Sequence, residues 1–242
     1  MAIYNHDYAK DRNTIDITTV ESSFATKVYT WMTAGLALTA FVACYVYKTG
    51  IYTALMPYWM LWTFGAFGVG IAISASARKA SVTTMTVLFL AYGTLQGIFF
   101  GTVLPGFAAA YGGDLIWTAF STAALIFGSA VCFGVFTKAD LSSLGSILRV
   151  ALFGLIGVTL LFFVLSFFIN VTWMNLVISY IGLGIFVGLT LYDAQQIKRM
   201  SQQVSGNSVM ARKMALLMAL QMYINIIMIF WYLLQIFAAN RR

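Results

Sequence analysis

Long apolar runs, about seven of them and each of the ~20 residues that crossing a bilayer takes, fill this 242-residue chain and leave only short polar joints. A backbone in lipid has no water to bond, so runs of that length are expected to close their hydrogen bonds as helices. The fold class that follows is all-α: a polytopic membrane bundle of seven helices. Composition agrees, because 61% of the residues are hydrophobic and only 9% charged, against about 25% charged in soluble domains. No room remains for a second, soluble domain. The net charge of +7 does not point to nucleic acid, since the basic residues are scattered between apolar runs, where they act as topology signals. The partner that composition implies is the lipid bilayer.

Hydropathy and turn residues place the spans at about 27–47, 58–77, 81–103, 115–136, 147–168, 171–197 and 214–238. Pro57 opens the second, Leu104-Pro-Gly106 closes the third, and a polar connector at 201–208 separates the last two. Residues 1–24, with Asp7, Lys10, Arg12, Asp16 and Glu21, form a polar tail unlike a cleaved signal peptide, and 25–242 form the transmembrane domain. Lys10, Arg12, Lys27, Arg78, Lys79, Lys138, Arg149, Lys198, Arg199, Arg212 and Lys213 fall on one side of the membrane, and Lys48, Arg241 and Arg242 on the other. The positive-inside rule therefore makes the N-terminus and its tail cytoplasmic. Cys44 and Cys132 lie in apolar runs and read as small buried hydrophobes, while a single histidine, His6, gives no basis for a zinc site. Trp31, Trp59, Trp62, Trp117 and Trp173 sit near span ends, as an aromatic belt would place them.

One acidic residue stands out. Asp193 ends the sixth apolar run just before Lys198 and Arg199, and insertion scales charge roughly 2.5–3.5 kcal/mol for an Asp at a helix centre. Steps of three and four back from it give Thr190, Phe186, Gly182, Ser179 and Asn175, a small-or-polar stripe on one helical face. The seventh run repeats the pattern with Gln221, Asn225, Met228, Tyr232 and Gln235. Such a seam is explained either by hydrogen bonds between helices or by an ion or proton path. Gly184 and Gly188 form a GxxxG suited to close helix packing, and Gln96, among Gly93, Gly97 and Gly101, reads as interhelical glue. Arg78 and Lys79 anchor one end of the second span. No span offers a nucleophile with a base, or a metal cluster, so enzymatic chemistry is not expected.

Tyr180-Ile-Gly-Leu-Gly-Ile-Phe-Val-Gly-Leu-Thr-Leu-Tyr-Asp-Ala-Gln-Gln-Ile-Lys198 resembles the sixth-helix signature of the Bax-inhibitor family, in its bacterial inner-membrane branch. Lys27-Val-Tyr-Thr-Trp-Met-Thr-Ala-Gly-Leu36 is similar to that family's first helix, and Phe136-Thr-Lys-Ala-Asp-Leu-Ser-Ser-Leu-Gly145 to its loop between helices four and five. The resemblance covers about residues 24–238. It implies a central seventh helix wrapped by six others and a pH-controlled calcium leak, closed at its cytoplasmic end by two aspartates that share a proton.

Asp193 matches the first of those aspartates, whereas Asn225, in Tyr223-Ile-Asn-Ile-Ile-Met228, stands where the second belongs. Asn225 has no proton to lose, so Asp193 would titrate alone. On this reading Asp193 and Asn225 form the ion-binding gate. Gln221, Gln96, Thr190, Ser179 and Tyr232 line the pore, and Asp193 is a weak calcium ligand with no resident cofactor. The alternative is a regulator that conducts nothing and binds a membrane quality-control protease through its polar tail. Spacing alone does not bring the gate together. Asp193 is five residues from Lys198 and Asn225 twelve from Lys213, roughly 7–8 Å against roughly 18 Å along a helix.

Overall fold

The computed structural model describes residues 2–76, 79–166, 172–203 and 208–241. In chain order they form α1 (Ala2–Lys48), α2 (Tyr52–Leu55), a 3-10 turn (Met56–Tyr58), α3 (Trp59–Ser76), α4 (Val82–Tyr111), α5 (Gly113–Phe136), α6 (Ser142–Leu165), α7 (Thr172–Gln203) and α8 (Val209–Ala239). Among the described residues seven stretches are long and apolar enough to cross a membrane: α1 from Phe24, α2 together with α3, and each helix from α4 to α8. The expected span ends at 77, 168 and 171, together with Arg78 and Arg242, lie outside the described residues.

Several boundaries move outward from their sequence-based positions. The second span begins at Tyr52, with Pro57 inside the 3-10 turn, where its missing N–H costs little. The third does not stop at 103. α4 runs through Pro105 to Tyr111 and ends where Gly112 turns to φ +89° and donates to the Ala108 carbonyl. One turn before the proline, Thr102 Oγ1 donates to the Phe99 carbonyl at 2.7 Å. The connector at 201–208 is shorter than its polarity suggests, because α7 continues to Gln203 and Ser208 already caps α8 by accepting from the Ala211 N–H at 3.0 Å.

The C-terminal helix is the axis. Half of the membrane stretch of α8 is buried (50%), against 6% for α6. α8 touches α1, α4, α5, α7 and, more lightly, α3, while α6 leans on α7. Leu216, Ala219, Met222, Ile229 and Leu234 are all sealed from solvent, so α8 is apolar nearly all round, as a central helix must be. Lipid tails are as apolar as leucine, and helix association therefore relies on close contact through small residues. A Cβ on Gly97 of α4 would lie 2.6 Å from the Val42 Cβ and 2.9 Å from the Thr39 carbonyl of α1. The same chemistry corrects the cysteine expectation. Cys44 and Cys132 are both exposed on the flanks of α1 and α5, because an apolar run supplies outward as well as inward positions.

Candidate functional site

α7 and α8 run antiparallel, and the two stripes read from the sequence face each other. Asp193 (8% exposed) and Asn225 (4% exposed) are buried, and the Asn225 Nδ2 donates to Asp193 Oδ2 at 2.7 Å. The depth conflict between them disappears because the two basic pairs are not level. α7 ends ten residues beyond Asp193, whereas α8 starts sixteen before Asn225, so α8 begins roughly 9 Å farther out at 1.5 Å per residue. A charge-assisted bond this short is the strong kind.

The turn of α7 around Asp193 is held on three sides. Gly134 of α5 lies so close to the Leu191 carbonyl that a Cβ there would overlap it. Tyr192 packs its ring on Gly145 of α6, under the Arg149 guanidinium at 5.0 Å from the ring centroid. The Tyr192 hydroxyl accepts from Arg149 Nη2 at 2.8 Å and from the Gln196 amide. Gln195, also buried, clasps the α5–α6 loop from both sides of its amide: Nε2 donates to the Ala139 carbonyl at 2.7 Å, and Oε1 accepts from the Leu141 N–H at 3.0 Å.

Farther along, Arg199 reaches Asp140 at 2.6 Å and the Ser142 hydroxyl at 2.8 Å, and Lys198 donates to the Val135 carbonyl at 2.8 Å. The Arg199 contact, followed by those from Ser142, holds the exposed Asp140 carboxyl well below the usual range, down to about 2.

Other sequence-selected residues divide. Thr190 and Ser179 are buried on the seam, and each hydroxyl donates to its own helix, to the Phe186 and Asn175 carbonyls, both at 2.7 Å. Tyr232 is buried against Gly182 and Phe186. Gln221 is exposed between buried Leu220 and Met222, at the seam's edge rather than inside it. Gln96 is half-buried and donates to the Tyr92 hydroxyl at 3.1 Å. Lys79 is exposed beyond α3. Of the GxxxG pair, Gly188 packs on Leu148 while nothing lies near Gly184.

Sequence reasoning missed Arg149 as a neighbour of the site, the Gln195 clasp, and a second polar node. In that node the Tyr223 hydroxyl lies 2.5 Å from Thr39 Oγ1, which is within reach of the Gly35 and Gly93 carbonyls at 3.0 and 2.9 Å. Thr39 has one proton to give a carbonyl, leaving Tyr223 to donate to Thr39. The paired glutamines two and three residues after Asp193 were the available signal for the clasp. Nothing in the sequence joined Thr39 to Tyr223.

At the opposite end the seam opens beside a cavity of about 570 Å³, lined by Trp59, Phe99, Phe107, Tyr111 and Trp231 with Asn175, Ser179 and Gln235. Ser179 Oγ reaches Gln235 Oε1 at a long 3.4 Å. Among the described residues no three His, Cys, Asp or Glu side chains gather, so a cation on this seam would meet one carboxylate and neutral oxygens. That suits brief passage better than tight retention.

Residues 21–242 match the family described as inhibitor of apoptosis-promoting Bax1. An uncharacterized protein of Chlamydia muridarum is 47% identical over 240 residues, which is 99% of this chain and 98% of its own length. The inner membrane protein YbhL of Escherichia coli K12 is 35% identical over 230 residues, covering 91% of this chain and 92% of that protein.

Proposed function

The chain belongs to the family of inhibitors of apoptosis-promoting Bax1, and from that premise we propose that it is a pH-responsive leak for calcium or a similar cation, gated where Asp193 meets Asn225. The observation that carries this reading is the buried 2.7 Å contact across the α7–α8 seam. An intramembrane carboxylate needs a purpose that packing does not supply, and this one sits opposite a neutral donor that competes with any ion for its oxygens. Asp193 precedes Lys198 by five residues on α7, so the pair lies roughly 7–8 Å along the helix from that basic end. With the N-terminus cytoplasmic and the protein in an inner membrane, as YbhL is, the pair closes the cytoplasmic end and the cavity opens to the other side.

Protonating Asp193 removes both its attraction for a cation and the charge that strengthens the Asn225 bond. Arg149, bonded to the hydroxyl of the adjacent Tyr192, is the charged neighbour on the adjoining face. Calcium flux into liposomes holding the pure protein is the test. Asp193→Asn has the shape of the protonated side chain, and its flux should be the same at acidic and neutral pH, matching wild type at acidic pH. A variant that keeps the wild-type pH dependence removes Asp193 from the gate.

A second reading, a regulator that conducts nothing and binds a membrane protease, draws on α1. That helix begins at Ala2 and so extends roughly six turns before its membrane stretch starts at Phe24. Deleting residues 2–20 separates the two: lost regulation with flux intact favours the binding role, and altered flux favours the leak.

A further inference from the structure

Between the cavity and the Asp193–Asn225 pair the seam is mostly apolar. Ser179 and Gln235 border the cavity, and Asp193 and Asn225 lie at the far end of the same antiparallel seam. Along α7 this interval is roughly 21 Å. Gly182 and Phe186 lie within it on α7, and Tyr232 lies within it on α8. All three are buried. The Tyr232 ring lies flush against the Gly182 backbone, so that a Cβ on that glycine would collide with it, and its centroid is 6.0 Å from that of Phe186. Below them come Ile185, Leu189 and Ile229, also buried, and Thr190, whose hydroxyl donates to the Phe186 carbonyl at 2.7 Å. A hydrophobic constriction of this kind closes a pore by excluding water, with no charged group needed.

We infer that the Tyr232 ring, seated on Gly182 and tilted against Phe186, is a hydrophobic barrier in series with the Asp193–Asn225 pair, so that the seam has two closures of different chemistry. This rests on the seam being the ion path proposed above. Gly182 takes a specific role in it: only a residue without a side chain lets a tyrosine ring cross the face of α7 at that depth. Freeing Asp193 from Asn225 leaves the ring in place, and moving the ring leaves the polar pair intact.

The test is cysteine labelling in proteoliposomes with a charged, membrane-impermeant thiol reagent added on the cavity side, in a Cys44→Ser, Cys132→Ser background. Asn175→Cys, exposed at the cavity, should react readily. Thr190→Cys, beyond the ring, should react at least tenfold more slowly, and adding Tyr232→Ala should raise its rate by about tenfold or more. Tyr232→Phe keeps the ring and should keep the protection, which separates a steric plug from a hydroxyl hydrogen bond. If Tyr232→Ala does not fold, Phe186→Ala supplies the same readout. Thr190→Cys reacting as fast as Asn175→Cys with Tyr232 intact overturns the barrier, and so does protection that persists after the ring is removed. Calcium flux measured on the same vesicles reads the path separately: ring-dependent labelling in a wild type that passes no ion keeps the barrier and removes the leak.

Discussion

The two ends of the α7–α8 seam carry similar polar groups and hold them differently. At the basic end a carboxamide meets a carboxylate at 2.7 Å, both buried. At the other a hydroxyl and a carboxamide are 3.4 Å apart beside a cavity of about 570 Å³. Charge-assisted bonds are shorter and roughly twice as strong as neutral ones, and the tight end is buttressed further by Gly134, Tyr192 and Gln195. The seam is therefore closed where one partner carries charge and its helix is clasped, and loose where both partners are neutral.

The sharpest way to break that contrast is Asn225→Leu, which leaves the buried Asp193 without its donor. A loss of about 2–3 kcal/mol is expected, read by thermal unfolding in detergent; a change of a few tenths would mean that the pair does not close its end. Next comes one substitution made twice. Gly134→Ala presses a methyl on the Leu191 carbonyl, whereas Gly106→Ala, at the cavity, meets nothing within 4 Å. The first should cost about 1–3 kcal/mol and the second should stabilise by roughly 0.5–1 kcal/mol, as alanine replaces glycine inside a helix. Equal effects would erase the difference in tightness.

Gln235→Leu, at the loose end, should cost no more than about 0.6 kcal/mol, the average for a contact between membrane helices. The smallest effect belongs to the exposed Asp140–Arg199 clasp. Asp140's carboxyl is lowered from 3.8 to about 2, so whatever stability it lends is fully present above pH 3.8 and is lost only as pH falls through about 2. Unfolding curves of Asp140→Asn and wild type should therefore run parallel between pH 5 and 8. Divergence there would give the clasp a part in the neutral-range pH response.

Much of the site was legible because a helix repeats every 3.6 residues and a buried stripe must keep that period. Ser179, Thr190, Asp193, Asn225 and Tyr232 fall inside on that ground alone. Gln221 follows the same spacing yet is exposed, since period fixes the face of a residue and neighbours decide whether that face is covered. Arg149 escaped notice for the opposite reason. It was counted as a topology charge, and only the packing of α6 on α7 brings it over Tyr192.

Sequence alone determined the number of spans, their helical form and the inward face of α7, because lipid forces backbone bonds to close locally and penalises a carboxylate that faces it. Tertiary structure decided the rest. The contact between Asp193 and Asn225 depends on how far α8 starts beyond the end of α7. The Thr39–Tyr223 bond joins residues 184 positions apart, and the seating of Tyr232 on Gly182 needs two helices at backbone contact. Each is a relation between helices, and axial offset and approach distance come from packing, which no single run of residues encodes.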